Sequence, residues 1–518
     1  MDFRAEQDGQ KGIRLFRDGQ VRMAFLGALI FGLAAHGMGL TNKYSFHDDI
    51  HALFEVGATV SYGRWMLELL GKMEVWLFGD GHYSLPLFSG LFSLLCVGAA
   101  AALLVKDLKI GNRFFCAAAG ALLAAFPAVA SLFGYMYTAP YYMLAMLMMV
   151  LSAHLIGREG QWRRKAAGVL LGGCAAGIYQ AYLPVLLSVI VLENLALLAE
   201  EEESRAKALT RIGVCGICIA GVMVCYFGMN RLFLNLSNQQ LTAYQGIAGM
   251  ENTPLSVYLQ RVGRAYREFV FPARNAAWDM YPQHMHWVYQ GMVAADGLLG
   301  LGLVIRLARR DRIRAGLAAA MLGLFPLGAN FIFVMAEDPH ALMMYGQGMQ
   351  FVLLLMLMDR TEIARPALRR AGFTAAAALV GLSCVMYARF DNQCYLKAEF
   401  QQQQAVSYYT TLITRIRSTP GYRDELPVAF LHEGHIEDQS LYNIDELNLT
   451  FIAPYNADIR DYVNSYSWRR FMGRWCGFLP QEVKDTESLE QRPEVQAMPR
   501  YPDDGSILLL EDAMVIKF

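Results

Sequence analysis

Residues 84–113 read SLPLFSGLFSLLCVGAAAALLVKDLKIGNR, and this stretch decides the class of fold. The part from 84 to 105 carries no charged residue, whereas the part from 106 to 113 carries lysine, aspartate and arginine. A helix rises 1.5 Å per residue, so about 20 apolar residues cross the ~30 Å hydrocarbon core of a bilayer. The stretch therefore predicts a membrane-spanning helix that ends in a positively charged loop.

The same pattern recurs along the whole chain. Of its 518 residues, 55% are hydrophobic and 18% are charged, compared with about 25% charged in typical soluble proteins. Apolar runs of roughly the required length lie at 21–40, 84–105, 114–133, 136–156, 166–181, 183–199, 212–232, 287–305, 315–335, 343–358 and 372–390. We therefore predict a polytopic α-helical membrane protein with about 11 transmembrane helices. The net charge of −1 gives no bulk basis for binding nucleic acid.

The positions of lysine and arginine predict the orientation in the membrane. If the N-terminus is inside, every inside segment carries at least three lysines or arginines, and the short outside turns carry none. Because positive charge collects on the cytoplasmic side, the N-terminus is expected inside and the C-terminus outside. The predicted inside segments are the N-terminal tail, 106–113, 157–165, 200–211, 306–314 and 359–370.

Two domains are predicted. Residues 1–390 form the transmembrane domain, with long outer loops at 41–83 and 233–286, and the helical spacing of 41–83 indicates amphipathic helices on the outer surface. Residues 391–518 form a small extracytoplasmic α/β domain, because β-like runs at 427–433 and 506–518 follow a helical segment. Cys394 and Cys476 are the cysteines expected outside, where they could form a disulfide.

The sequence FHDDIH at 46–51 is the first candidate site. Asp48 or Asp49 could act as a general base for a sugar or lipid hydroxyl, while the other orients it or caps a helix. The sequence leaves open which carboxylate acts. His47 and His51 are four residues apart and could contact substrate. They could also bind a divalent metal with an aspartate, but we predict no metal site.

Arginines at two places on the outer side are candidate ligands of a donor phosphate. Arg64 lies beside Trp65 in SYGRWMLEL, and a guanidinium can bind phosphate through two hydrogen bonds. Arg261, Arg264 and Arg267 share one face of a helix. Ordinary interfacial or solvated residues would give the same patterns.

Further polar and aromatic residues on the outer side could bind sugar. The turn AEDPHALMMYG contributes acidic and histidine side chains, and aromatic rings can stack on carbohydrate faces. The predicted substrate-binding residues are His47, His51, Trp65, Tyr137, Tyr179, Gln180, Tyr182, Tyr281, His284, Glu337, Asp338, His340 and Tyr345. The chain has no P-loop, so a donor already in the membrane is expected.

The order of these motifs resembles the Gtr-type bacterial glucosyltransferase family, which modifies O-antigen and related surface glycans. The motifs are HDD at 47–49, GRW at 63–65, YSLP at 83–86, YQAYLP at 179–184 and DNQCYLKAEF at 391–400. The resemblance covers most of the membrane region and thins out in the C-terminal domain.

This resemblance implies a GT-C fold and a polyprenyl-phosphate sugar as donor. We predict no further cofactor. It also implies a reaction on the outer face of the bacterial cytoplasmic (inner) membrane, and an acidic residue in the first outer loop near the acceptor, matching Asp48 and Asp49. The implied functional partners are a synthase of the lipid-linked sugar and a small flippase. The expected reaction moves a hexose, glucose by resemblance, to a cell-surface glycan with inversion.

Two other functions remain open from the residues. A lipid-linked-sugar flippase or transporter would need polar residues deep in the spans, of which Glu193 and Asp296 are the main examples, and no internal repeat supports it. A non-catalytic scaffold in glycan assembly would use the outer tail as a binding module.

Overall fold

The computed structural model describes residues 18–44, 48–51, 59–79, 84–158, 160, 162–200, 204–242, 254–274, 280–281, 283–361, 366–433 and 467–518. These residues form two compact units. The first unit takes in described residues up to Lys43 and those from Leu53 to Asn392. The second takes in described residues from Tyr44 to Ala52 and from Gln393 onward. The domain division predicted from the sequence stays a prediction.

The first unit is built from α-helices. Its helices are α1 (Gly19–Thr41), α2 (Trp65–Phe78), α3 (Pro86–Asp107), α4 (Arg113–Ala124), α5 (Pro127–Phe133), α6 (Ala139–Gly157), α7 (Trp162–Ile178), α8 (Leu183–Glu200), α9 (Arg205–Ser237), α10 (Leu255–Val270), α11 (Gln283–Ala308), α12 (Arg312–Ala329), α13 (Met349–Asp359) and α14 (Pro366–Ser418). A one-turn helix covers Ile332–Met335, and 3₁₀ turns cover Val60–Tyr62, Gln180–Tyr182, Ala341–Met343 and Tyr345–Gly348. The unit boundary falls within α14.

Nine helices in the described part of the chain are long and apolar enough to cross a membrane. They are Gly19–Thr41, Pro86–Asp107, Arg113–Phe133, Ala139–Gly157, Gln180–Glu200, Arg205–Ser237, Met285–Ala308, Arg312–Ala329 and Arg370–Ser418. Each overlaps one predicted span. The other two predicted spans, 166–181 and 343–358, coincide with α7 and α13, which are shorter helices of 17 and 11 residues. These apolar helices indicate a membrane protein, and the count of about eleven stays a prediction.

Small residues allow the first helices of this unit to pack closely. Helix α1 packs against α3 and α4. A Cβ atom at Gly27 would overlap the backbone carbonyl of Ala117, and one at Gly120 would overlap the carbonyl of Ala24. Lipid tails are as apolar as leucine side chains, so close van der Waals packing of this kind holds helices together in a membrane.

The second unit contains a three-stranded sheet near the C-terminus. Its strands are β1 (Val428–Leu431), β2 (Ile507–Leu509) and β3 (Met514–Lys517), in the order β1-β3-β2. Strand β1 runs parallel to β3, and β2 runs antiparallel to it. Both predicted β-like runs are therefore confirmed as strands. The second run holds two strands because the polar residues between 510 and 513 make a turn.

Helices surround this sheet and complete a hydrophobic core. They are α15 (Trp468–Trp475) and the short helices Glu487–Glu490 and Pro493–Gln496. The fully buried Trp468 stacks on Tyr409 at a centroid distance of 6.1 Å and meets Phe430 edge-on at 4.9 Å. The disulfide expected between Cys394 and Cys476 is wrong, since the structure does not join these two cysteines. Cys394 is buried on α14, whereas Cys476 directly follows the last residue of α15.

Candidate functional site

A tight turn presents Arg64 at the start of α2. The backbone N–H of Gly63 donates to the carbonyl of Val60 at 3.0 Å, which closes the 3₁₀ turn before it. Gly63 has φ +74°, a left-handed conformation that favours glycine. A Cβ atom there would also lie 2.5 Å from the hydroxyl of Tyr226. The glycine of the GRW motif is therefore needed both for the turn and for the space beside Tyr226.

The guanidinium of Arg64 lies among three tyrosine rings. Its Nη1 donates to the Tyr142 hydroxyl at 2.8 Å. Its Cζ lies 5.8 Å from the ring centroid of Tyr62, 5.7 Å from that of Tyr142 and 5.3 Å from that of Tyr179. Tyr142 and Tyr179 stack at 3.9 Å with an angle of 4° between their planes. The planar cation is thus oriented by hydrogen bonding and cation–π contact, which suits recognition of a phosphate.

A second layer of polar and aromatic residues supports this cluster. The side-chain amide of Gln180 donates to the backbone carbonyl of Tyr62 at 3.1 Å. Tyr182 meets Tyr179 edge-on at 5.2 Å and contacts Tyr345 at 5.7 Å. Within the described residues, the buried Gln180 Oε1 and the Tyr182 hydroxyl have no hydrogen-bond partner. Because an unmade buried hydrogen bond is costly, these two atoms are candidates for contact with substrate.

Trp65 is buried by helix packing. Its ring stacks on Phe233 at 5.5 Å, and a Cβ atom at Gly177 would overlap it. Only 2% of Trp65 is exposed. The structure therefore gives Trp65 a part in joining α2 to α7 and α9, and its predicted contact with substrate stays a prediction.

The predicted basic helix and the predicted acidic turn meet in the first unit. Arg261 donates from Nη2 to Glu337 Oε1 at 2.9 Å, and Arg264 donates from Nη1 to the backbone carbonyl of Glu337 at 2.6 Å. Arg267 instead pairs with the buried carboxylate of Glu268 at 2.7 Å. Two arginines therefore hold the turn in place, and the Glu337 side chain remains 71% exposed.

The other predicted residues of the first unit are scattered around these two places. Tyr281 is buried, and its ring centroid lies 4.6 Å from that of Tyr289, on which it stacks. In the sequence, Tyr281 is far from Arg64. Asp338 is exposed, whereas His340 and Tyr137 are partly buried. Their predicted roles in binding substrate stay predictions.

In the second unit, the two aspartates of the HDD motif lie in different environments. Asp49 is fully buried and begins the 3₁₀ turn Asp49–His51, whereas Asp48 is partly exposed. Arg474 donates from Nη1 to the carbonyl of Ile50 at 2.7 Å. Burial lowers the pKa of the Arg474 guanidinium, and the nearby negative charge of Asp49 opposes that shift. Asp49 is therefore held beside a cation, which leaves Asp48 as the more accessible carboxylate.

Three predicted residues cannot be assigned contacts. His47 lies outside the described residues, and so do the side chains of His51 and His284. In the part of the chain that the structure describes, no group of three His, Cys, Asp or Glu side chains could hold a metal ion.

Sequence reasoning missed two features of the first unit. Tyr62 joins the Arg64 cluster, and its place directly before GRW was the available signal. His36 and Asp391 are fully buried, with His36 Nε2 2.8 Å from the carbonyl of Ala124 and 3.8 Å from Asp391 Oδ2. Asp391 begins the quoted DNQCYLKAEF motif, but no residue pattern connects it to a histidine more than 350 residues earlier.

Comparison with known proteins adds the family. The Glucosyl transferase GtrII family matches residues 37–353, a range that holds Asp48, Arg64, the tyrosine cluster and the Glu337 turn. No curated protein and no solved structure matches the chain. Since the family match covers more than half of the sequence, this protein belongs to the GtrII glucosyl transferase family.

Proposed function

We propose that this glucosyltransferase moves glucose from a polyprenyl-phosphate donor to a cell-surface glycan, on the outer face of the bacterial cytoplasmic membrane. Family membership supports transfer of a glucosyl group. The lipid-linked donor, the glycan acceptor, the outer face, inversion at the anomeric carbon and a GT-C fold are our proposals. In this proposal a lipid-sugar synthase and a small flippase supply the donor.

The observation that carries the proposal is the orientation of Arg64. The cation rests against the stacked Tyr142 and Tyr179 rings, with one hydrogen bond to Tyr142. When a sugar leaves polyprenyl phosphate, negative charge grows on the phosphate oxygen. A guanidinium already fixed in place stabilises that charge with little reorganisation. We therefore assign Arg64 to the donor phosphate, ahead of Arg261, Arg264 and Arg267, which contact Glu337 or Glu268.

The different environments of the aspartates support different roles. We assign Asp48 as the general base because it is partly exposed, and Asp49 as a positioning residue because it is buried near Arg474. The acceptor hydroxyl oxygen attacks the anomeric carbon and transfers its proton to the Asp48 carboxylate. The bond between that carbon and the phosphate oxygen breaks, and polyprenyl phosphate leaves. A single displacement of this kind inverts the configuration.

The turn at Glu337 is our proposed contact for sugar hydroxyls. Its carboxylate is mostly exposed, while Arg261 holds one of its oxygens at 2.9 Å. A carboxylate that is fixed on one side and open on the other can accept hydrogen bonds from a sugar. This role is secondary to that of Arg64, because it concerns orientation rather than the departing charge.

The proposal is tested by turnover in proteoliposomes. Purified protein receives polyprenyl-phosphate [¹⁴C]glucose and a lipid-linked surface glycan, and labelled glycan is counted. We expect Asp48→Asn to lower the rate by roughly 10²–10⁴-fold, the usual contribution of a general base. Asp49→Asn should lower it less, and the exposed Asp503→Asn should leave it unchanged.

Two results would overturn this account. Full activity in both the Asp48→Asn and Asp49→Asn proteins would remove the acid–base role. Movement of labelled lipid across the bilayer without labelled glycan would favour the transporter alternative.

A further inference from the structure

A polar cavity in the first unit has no part in the proposed sugar transfer. It has a volume of about 520 Å³ and lies where the ends of α3, α6 and α8 meet the start of α9. These are the segments for which the sequence predicts an inside position. Charged residues of both signs line it: Lys106, Asp107, Arg158, Glu193, Glu200 and Lys207.

Two of the three carboxylates in this cavity are paired with neighbouring side chains. Asp107 pairs with His154 at 2.5 Å, and Glu200 pairs with Lys109 at 2.6 Å. Glu200 also lies 3.7 Å from Arg360. These paired side chains line the cavity. The charges outside these pairs therefore determine which ligand the cavity can bind.

The third carboxylate, that of Glu193, differs from Asp107 and Glu200 in its burial and its contacts. It is only 7% exposed, yet it lines the cavity. Among the residues that the structure describes, it makes no hydrogen bond or ion pair. Its Oε2 rests against the backbone at Gly157, where a Cβ atom would overlap it. The glycine thus makes room for a buried carboxylate whose oxygens are available to a ligand.

Basic side chains lie around the Glu193 carboxylate, farther from it than the ion-pair distances given above. Arg158 and Lys106 line the same cavity, Arg158 in an exposed position and Lys106 in a partly buried one. The negative charge of Asp107 acts on Glu193 electrostatically, and so do the positive charges of Arg211, Arg158 and Lys165. A purely anionic ligand would meet the Glu193 carboxylate, and a purely cationic ligand would meet the basic residues. The charge pattern therefore fits a ligand with a phosphate and an ammonium group.

We propose that this cavity binds the headgroup of a phosphatidylethanolamine molecule. The ammonium group donates hydrogen bonds to Glu193, and the phosphate lies against Arg158 and Lys106. The ends of apolar helices surround the cavity, which is where lipid headgroups lie in a membrane. The site is independent of the proposed sugar transfer, since it uses none of the residues assigned to that reaction.

Lipid retention measured by native mass spectrometry tests this site. The detergent-purified full chain is mixed with equal amounts of phosphatidylethanolamine, phosphatidylcholine and phosphatidylglycerol. Phosphatidylcholine keeps both charges but lacks N–H donors, and phosphatidylglycerol lacks the cation. We expect phosphatidylethanolamine to be retained about 10-fold more than either, the scale of one charge-assisted hydrogen bond.

Matched variants assign the preference to the cavity. Glu193→Gln should retain the three lipids equally, Arg158→Gln should weaken retention of all three, and Glu74→Gln should behave as wild type. Because Arg158 is exposed, its variant gives a result even if Glu193→Gln fails to fold. Soluble phosphoethanolamine at the same concentration should displace little lipid.

Four results would overturn the proposal, and three of them concern the preference for phosphatidylethanolamine. Those three are equal retention of the three lipids by wild type, a preference that survives Glu193→Gln, and a preference for phosphatidylglycerol, which would assign the cavity to anionic lipids instead. The fourth is displacement of the lipid by soluble phosphoethanolamine at equal concentration.

Discussion

Two substitutions of Arg64 measure separately how much its positive charge and its planar shape contribute to turnover. Arg64→Lys keeps the positive charge but loses the fork of N–H donors, and Arg64→Gln loses the charge. The structure gives Arg64 one hydrogen bond to Tyr142 and three aromatic rings within 6 Å. A charged hydrogen bond contributes ~1.5–3 kcal/mol, and each cation–π contact contributes ~0.5–1 kcal/mol.

These contacts orient the cation, so their loss should appear in the rate. Arg64→Lys should lower kcat/KM by about 10–100-fold, since each tenfold corresponds to about 1.4 kcal/mol. Arg64→Gln should lower it by about 10²–10³-fold, because the leaving phosphate loses its stabilising charge. The assay is turnover of polyprenyl-phosphate [¹⁴C]glucose in proteoliposomes containing equal amounts of each protein.

The exposed Arg163→Gln is the control for a simple change in charge and should keep wild-type turnover. Size-exclusion profiles and melting temperatures establish that each variant is folded. A folded Arg64→Gln protein with at least half of the wild-type kcat/KM would refute the assignment of Arg64 to the donor phosphate. Equal losses in the lysine and glutamine variants would show that the planar shape, rather than the charge, accounts for the effect.

Three further predictions concern the scaffold. Gly177→Val should force the Trp65 ring away and lower the free energy of unfolding by about 1–3 kcal/mol. Thermal unfolding followed by tryptophan fluorescence would detect this loss. An unchanged melting temperature would contradict the close contact. Trp468→Ala should cost about 3–5 kcal/mol in the second unit, seen as proteolysis of that unit at lower temperature. The hydrogen bond from Arg205 lowers the pKa of Asp311 in the folded protein. The ionised Asp311 therefore stabilises the fold at pH values above the unfolded-state pKa of about 4. This stabilisation is lost as the pH falls through the folded-state pKa. The melting-temperature difference between wild type and Asp311→Asn should therefore be constant above about pH 5 and shrink toward pH 3, and a pH-independent difference would contradict the ion pair.

The sequence predicted most of the helical scaffold because membrane helices leave a strong local signal. Each of the nine long apolar helices overlaps a predicted run, since backbone groups in a bilayer must be paired within the helix itself. The strands at 427–433 and 506–518 were also visible as short apolar runs with turn residues beside them. Helix α7 ends before its run does, because the last apolar residues of the run belong to the turn Gln180–Tyr182. Helix α13 begins after its run does, because the first residues of the run belong to the turns Ala341–Met343 and Tyr345–Gly348.

The candidate site could be predicted only in parts. Arg64 was singled out from GRW, but its hydrogen bond joins it to Tyr142, 78 residues later, and depends on how the helices pack. In the same way, Arg261 and Glu337 were separate candidates until the structure paired them. Trp65 is predicted to contact substrate, and only tertiary contacts show that Phe233 and the Gly177 backbone cover its ring.

Following the glucose itself tests whether the protein transfers it with inversion. Wild-type protein in proteoliposomes is given polyprenyl-phosphate [¹³C]glucose and surface glycan, and the product is analysed by NMR at the anomeric carbon. We expect labelled glycan whose anomeric configuration is opposite to that of the donor, with loss of the product in Asp48→Asn. A product of retained configuration, or a donor that is consumed without labelled glycan, would contradict this expectation.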